Sequence, residues 1–236
     1  MSTIALILAG GVGSRVGAAV PKQFIEIEGK PILFYTLEGF QRHPLVDEIV
    51  VVCVDGWQEE VRKLADAYGI TKLRSIVTGG AHGQESIRNG VFSLEGHCSE
   101  DDIVVVHDGI RPLVDSSVLA DVINKCRVHG AAVTSLPYNE QIFLVDPHDP
   151  STTVQYIPRE TLRRVSTPQA YKFGLLDSAY HEAFEKGIGI SGSSYTNTMM
   201  VELGHRLYFA AGSDSNIKLT TPEDIEWFRT YILQHK

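Results

Sequence analysis

Cysteine is scarce: Cys53, Cys98 and Cys126 are the three in 236 residues. Their odd number and wide spacing fit neither a disulfide framework nor a metal-ligand pattern, so a reducing, cytoplasmic setting is expected. Positive charge is also short, with 21 Lys and Arg against 29 Asp and Glu and a formal net charge of -8. A surface that attracts nucleic acid or anionic lipid carries the opposite balance, so neither is an expected partner. Any phosphate-binding cations must then form a local cluster on an acidic body. No apolar run approaches the roughly 20 residues of a membrane-spanning helix. The apolar stretch 4–11 ends in small residues but has no basic segment before it, and it reads as a buried strand rather than a targeting signal. There is no internal repeat. With 43% hydrophobic residues the chain can fill one substantial core, and a single domain over residues 1–236 is the expectation.

Three short runs rich in β-branched residues, 4–8, 48–54 and 102–107, are continuously apolar rather than alternating, as strands covered on both faces are. Helical patterns lie between them. Residues 32–41 follow Pro31, residues 57–68 space Val61, Leu64 and Tyr68 behind charged Glu59, Glu60 and Arg62, and residues 114–128 carry Val118, Leu119 and Val122 as an apolar stripe. Strands alternating with helices predict an α/β fold: a Rossmann-like, doubly wound, mostly parallel sheet with its ligand site at the carboxyl ends of the strands. The pattern weakens over 137–165. There the turn cluster 146–150 separates two strand-like segments, 141–145 and 152–157, which predict a protruding β-arm. Unpaired edges on such an arm invite pairing, so the arm is expected to serve in dimerisation. A helix over 175–186, a strand over 207–210 and a last helix opened by Thr221, Pro222 and Glu223 complete the pattern.

The strongest local signal is Leu8, Ala9, Gly10, Gly11, Val12, Gly13, Ser14 and Arg15, followed by Pro21, Lys22 and Gln23. A glycine-rich turn after the first strand lets backbone N–H groups converge on phosphate oxygens, because glycine permits positive φ and close approach. Arg15 and Lys22 can fold over the same anionic group. The spacing is not that of a Walker loop, which needs Lys and Ser/Thr straight after its last glycine, and the final glycine of the dinucleotide fingerprint is missing. On spacing alone, phosphate binding and a generic strand-to-helix turn both stay open.

Further pieces follow in order: Gly79, Gly80 and Ser86; His107, Asp108, Arg111 and Pro112; Thr167, Pro168 and Gln169; and Asn216, Ile217, Lys218, Thr220, Pro222, Glu223 and Asp224. With the stretch 6–23, this ordered set resembles the sugar-nucleotide transferases, in particular the branch of the methylerythritol phosphate and ribitol-5-phosphate cytidylyltransferases. The resemblance runs from residue 6 to residue 224. It implies an enzyme, a nucleotidyltransferase that joins the CMP half of CTP to a small phosphorylated polyol or sugar and releases pyrophosphate. It implies that Leu8, Ala9, Gly10, Gly11 and Gly13 wrap CTP, that Arg15 and Lys22 stabilise the crowded α-phosphate, and that Gly79, Gly80 and Ser86 form the cytosine pocket. Asp108 would sit beside the phosphates and bind Mg²⁺. Lys218 and Arg159 would hold the acceptor phosphate, with Arg159 reaching in from the arm of a second subunit, so that a homodimer shares its active sites. Arg111 and Thr167 would line the same acceptor site.

Each position has a plainer competitor. Asp108 can also be read as a capping carboxylate for the helix after Pro112, Ser86 as a cap for a helix starting near Ile87, Arg159 beside Glu160 as an exposed arm charge, and Lys218 as a snorkelling strand-edge lysine. His107, after four apolar residues, reads as a hydrogen-bonded core histidine rather than a base. Three departures from the family pattern stand out. Glu140 and Gln141 replace Asp-Thr, Thr196, Asn197 and Thr198 lack the carboxylates of Thr-Asp-Asp, and Gly83 stands where Arg is common. Two of these fall in the acceptor neighbourhood, where Gln141 and Asn197 become candidate acceptor ligands. A site that hydrogen-bonds particular hydroxyls rejects analogues without them, so the expected acceptor is ribitol 5-phosphate or a related alditol or ketose phosphate for a surface polymer. The alternative is 2-C-methyl-D-erythritol 4-phosphate in isoprenoid synthesis. An NAD(P)-dependent oxidoreductase and a catalytically silent nucleotide-binding module are the readings from other classes.

Overall fold

The computed structural model describes residues 1–11, 20–192 and 195–235. The chain opens with strand β1 (Thr3–Ala9), then a 3-10 turn at Lys22–Phe24, a small ribbon of β2 (Glu26–Ile27) and β3 (Lys30–Pro31), and helix α1 (Ile32–Arg42). There follow β4 (Glu48–Cys53), α2 (Gln58–Ala67), β5 (Leu73–Thr78), α3 (Gly83–Phe92), β6 (Ile103–Asp108), α4 (Ser116–His129) and β7 (Ala131–Pro137). The hairpin β8 (Ile142–Leu144) and β9 (Gln155–Ile157) comes next, then β10 (Arg163–Lys172), α5 (Phe173–Lys186), α6 (Thr196–Glu202), β11 (Tyr208–Ala211) and α7 (Pro222–Gln234). No helix among the described residues is long and apolar enough to cross a membrane.

Seven strands form one sheet in the order β11-β7-β10-β6-β1-β4-β5. Only β10 runs antiparallel to its neighbours; the other pairs are parallel. The continuous apolar runs are explained by two buried faces. From β1, Ala5, Ile7 and Ala9 point into one core with α1, α2 and α4, while Ile4 and Leu6 point into a second core with α3, α5 and α6. The same alternation holds in β4 and β6, so one residue of slip would exchange both cores. From β1 the chain crosses to β4 and β5 on one side, then returns to β6 on the other. This reversal makes a crevice at the carboxyl ends of β1 and β6, the position at which open α/β sheets bind ligands.

Local chemistry sets the ends of the elements. Asp115 caps α4 by accepting from the Ser117 N–H at 2.8 Å, and Gly130 ends that helix at a left-handed φ of 86°. Thr221 and Asp224 form a reciprocal capping box at the start of α7, with Pro222 in its first turn. The expected hairpin is present, with Ile142 paired to Ile157 and Phe143 to Tyr156. Its surface keeps Phe143, Val145, Val154 and Tyr156 exposed. Three strands of the main sheet escaped the sequence patterns, β5, β7 and the antiparallel β10, as did the two short strands of the β2–β3 ribbon.

Candidate active site

A cleft of about 860 Å³ opens at the switch point. One wall is the turn after β1, with Leu8, Gly10, Gly11 and Lys22; a second is the loop after β5 and the first turn of α3, including Gly79, Gly80 and Ser86. Asp108 at the end of β6, Lys218, residues 190–192 and Tyr195 close the remaining side. Lys22 folds back over the turn, its Cε 3.5 Å from where a Cβ on Gly11 would stand. Gln23 fixes the returning chain from below, donating from Nε2 to the Ala9 carbonyl at 2.6 Å.

The glycines contribute space rather than unusual dihedrals. Gly10, Gly11, Gly79 and Gly80 all lie outside the positive-φ region, so of the two properties glycine offers, close approach is the one used here. A Cβ on Gly80 would lie 2.4 Å from Glu85 Cβ, and one on Gly79 would lie 3.0 Å from Ser86 Oγ. Ser86 is not a helix cap: α3 starts earlier, at Gly83, and its N-cap residue is His82. Ser86 Oγ instead accepts from the Gly80 N–H at 3.0 Å and donates to the His82 carbonyl at 3.0 Å, clamping the glycine loop to the helix.

Asp108 is the centre of the opposite wall. Its Oδ2 accepts from Arg111 Nε at 2.9 Å and its Oδ1 from Lys218 Nζ at 3.0 Å. Thr167 Oγ1 accepts from the Asp108 N–H at 3.2 Å, and Arg111 Nη1 donates to the Asn216 carbonyl at 2.8 Å. Asn216 returns to Thr167, donating from Nδ2 to its carbonyl at 2.6 Å. Burial acts to raise the Asp108 carboxyl, but Lys218 and Arg111 overcome it and hold it down at about 2. The capping role that rivalled this one belongs to Asp115. His107 is fully buried, its Nε2 3.1 Å from the Arg111 carbonyl, and burial pulls it down to about 4, so it is a neutral core histidine at neutral pH.

Sequence reasoning thus brings Lys22, Gly10, Gly11, Gly79, Gly80, Ser86, Asp108 and Lys218 to one cleft, with Leu8 beneath them and Arg111 and Thr167 held on Asp108. Ala9 lies just below the cleft surface, its carbonyl taken up by Gln23 and by the Val54 N–H. Gly13 and Arg15 lie outside the described residues. Arg159 and Gln141 are exposed on the arm segment, away from the cleft lining, and among the described residues of its own protomer Arg159 reaches the Asn139 carbonyl and Glu160. Asn197 does not line the cleft either, and its Oδ1 is shut off from solvent with no partner among the described residues. Sequence reasoning missed Asp55, Gln84, residues 190–192 and Tyr195 as cleft residues. Tyr195 immediately precedes the altered stretch 196–198, which was the available signal. Among the described residues, the one group of three His, Asp or Glu side chains with metal-ligand spacing is Glu95, Asp177 and His181, outside the cleft.

A family model described as 2-C-methyl-D-erythritol 4-phosphate cytidylyltransferase matches residues 3–234. The chain belongs to this cytidylyltransferase family. It is 57% identical over 228 residues to the ribitol-5-phosphate cytidylyltransferase of Lacticaseibacillus paracasei, covering 97% of each chain. It is 36% identical over 235 residues to the 2-C-methyl-D-erythritol 4-phosphate cytidylyltransferase of Geobacter metallireducens, covering 98% of each. In fold it matches the 4-diphosphocytidyl-2C-methyl-D-erythritol synthase of Anaerococcus prevotii with a TM-score of 0.83, at 24% identity over 98% of this chain and 96% of that one.

Proposed function

We propose that this cytidylyltransferase transfers CMP from CTP to ribitol 5-phosphate and releases pyrophosphate. The observation that carries the reaction is the cleft itself. Glycine backbone walls it on two sides, Lys22 folds over one turn, and Lys218 stands on Asp108 across from it. An oxygen of the acceptor phosphate forms the new bond to the α-phosphorus, and the bond from that phosphorus to the bridging oxygen breaks, its electron pair leaving on pyrophosphate. No covalent protein intermediate is needed, so the residues act by positioning and by stabilising charge. Lys22 acts on the α-phosphate together with Arg15, a compact point charge beside a planar fork. Gly79 and Gly80, clamped by Ser86, form a wall without side chains against which the base is held. Asp108 and Arg111 fix Lys218 against the acceptor phosphate.

Mg²⁺ fits this cleft as an ion held chiefly by substrate phosphates. Asp108 stays ionised, and exposed Asp55 is the other carboxylate among the described lining residues. Bound there, the ion supplies neutralisation of the phosphate oxygens. The second acceptor cation, Arg159, is assigned to a partner subunit: its arm exposes five large apolar side chains, Phe143, Leu144, Val145, Val154 and Tyr156, that a homodimer contact would cover.

The choice of ribitol 5-phosphate rests on the 57% relative; Gln141 and Asn197, which depart from the methylerythritol pattern, lie outside the cleft lining and do not carry it. The family model and the 36% relative favour the second reading, 2-C-methyl-D-erythritol 4-phosphate. Initial rates of pyrophosphate release from CTP with each acceptor decide between them. A higher kcat/KM for ribitol 5-phosphate is expected. A higher value for the methylerythritol compound reverses the acceptor, and no release with any polyol phosphate overturns the transferase reading.

A further inference from the structure

A chain of buried hydrogen bonds lies behind the cleft and is used by none of the roles above. Tyr180 of α5 is fully buried and does not line the cleft, yet its hydroxyl donates to Gln84 Oε1 at 3.0 Å and lies 2.8 Å from Thr196 Oγ1. A phenol has one proton; since it goes to Gln84, the Thr196 hydroxyl must donate to Tyr180. Gln84 in turn donates from Nε2 to the Gly189 carbonyl at 2.6 Å. Gln84 and Thr196 are buried as well, so no water competes for these bonds.

The ends of this chain are pieces of the cleft. Gln84 sits in the first turn of α3, beside the glycine loop assigned to the nucleotide. Gly189 directly precedes the wall residues 190–192, and Thr196 directly follows Tyr195, whose ring lies 5.7 Å from Lys218 Nζ. Packing holds the same junction from outside: Gly189 has a φ of 62°, and a Cβ there would stand 2.7 Å from Met199 Cα in α6. The nucleotide wall and the wall facing Lys218 are therefore tied twice, directly from Gln84 to Gly189 and, through a phenol that does not line the cleft, from Gln84 to Thr196.

We propose that Tyr180 is a positioning residue: with Gln84 and Thr196 it forms a bridge that sets the spacing between the nucleotide wall and the acceptor wall. The inference rests on the reaction proposed above. It is tested with Tyr180→Phe, Thr196→Val and the double variant in the full-length protein. Both substitutions keep the shape of the side chain while removing one hydroxyl, so either serves if the other fails to fold. Losing the hydroxyl strands two buried polar groups, and a roughly fivefold weaker calorimetric Kd for CTP with a roughly tenfold higher KM for ribitol 5-phosphate is expected, while kcat stays within about threefold. Because the bridge acts as a unit, the double variant should be no worse than the more impaired single one. Unchanged Kd and KM in a folded variant, multiplying effects in the double variant, or a loss of kcat alone would overturn the inference. Calorimetry separates the two proposals: a wild-type protein that binds CTP without turning over would defeat the reaction, while the Kd of Tyr180→Phe would still decide the bridge.

Discussion

Replacing Asp108 by Asn keeps the shape of the residue and removes the one charge between Lys218 and Arg111. The Asp108 side chain is 17% exposed, and its carboxyl is held at about 2 against an ordinary value of 3.8. Burial works against the ionised form, and the two cations more than offset it. A difference of nearly two pH units corresponds to roughly 2–3 kcal/mol of stability carried by the ionised carboxylate. Because the folded value lies below the unfolded one, this contribution is complete above about pH 4 and is lost as the pH falls through about 2. For a chain of this size Asp108→Asn should lower the Tm at pH 7 by about 4–10 °C. The gap between the two proteins should narrow as the pH is taken below about 4. Calorimetric melting of both proteins across that range is the assay. Equal Tm at pH 7, or a gap that stays constant into acid, would refute the electrostatic account of this cluster.

Lys22→Ala should lower kcat by roughly 10²–10³ with little change in the KM for the acceptor, because its charge is matched to the transition state; a change confined to that KM would move Lys22 to the other phosphate. Gly80→Ala should raise the KM for CTP, since the new methyl would stand 2.4 Å from Glu85 Cβ and the loop must shift, and an unchanged KM would show that the loop does not meet the base. If Arg159 serves the partner's site, Arg159→Ala and Lys218→Ala should each be nearly inactive. After subunit exchange their mixture should recover activity at roughly a quarter of the sites, under the two-fold symmetry usual for dimers. Verified exchange without recovery would place both cations in one chain's site.

Much of the fold was legible because strands buried on both faces must be apolar throughout. The runs 4–8, 48–54 and 102–107 correspond within a residue or so to β1, β4 and β6. Two of the strands that escaped notice depart from this rule. β5 lies at the sheet edge and is half-exposed, so Arg74, Ser75 and Thr78 dilute its pattern. β10 carries Pro168 within a central strand, where proline normally argues against one, and the sheet accommodates it with a register shift between Ser166 and Gln169. The site was legible where chemistry is local, as in the glycine turn and in Asp108 at a strand end. What could not be read were contacts across large separations: the 110 residues between Asp108 and Lys218, or the 96 between Gln84 and Tyr180. Sequence allowed either positive φ or close approach at the cleft glycines; what decides between them, packing against Ser86 and Glu85, is invisible in one dimension.

The central claim is that this cleft joins CMP to a phosphorylated alditol. Its most direct test is phosphorus NMR of CTP and ribitol 5-phosphate incubated with the protein and Mg²⁺. The account predicts that the acceptor's phosphomonoester signal gives way to a pair of coupled diphosphate signals while an equal amount of pyrophosphate accumulates. Pyrophosphate with free CMP and unchanged ribitol 5-phosphate, or no change in any signal, would contradict it.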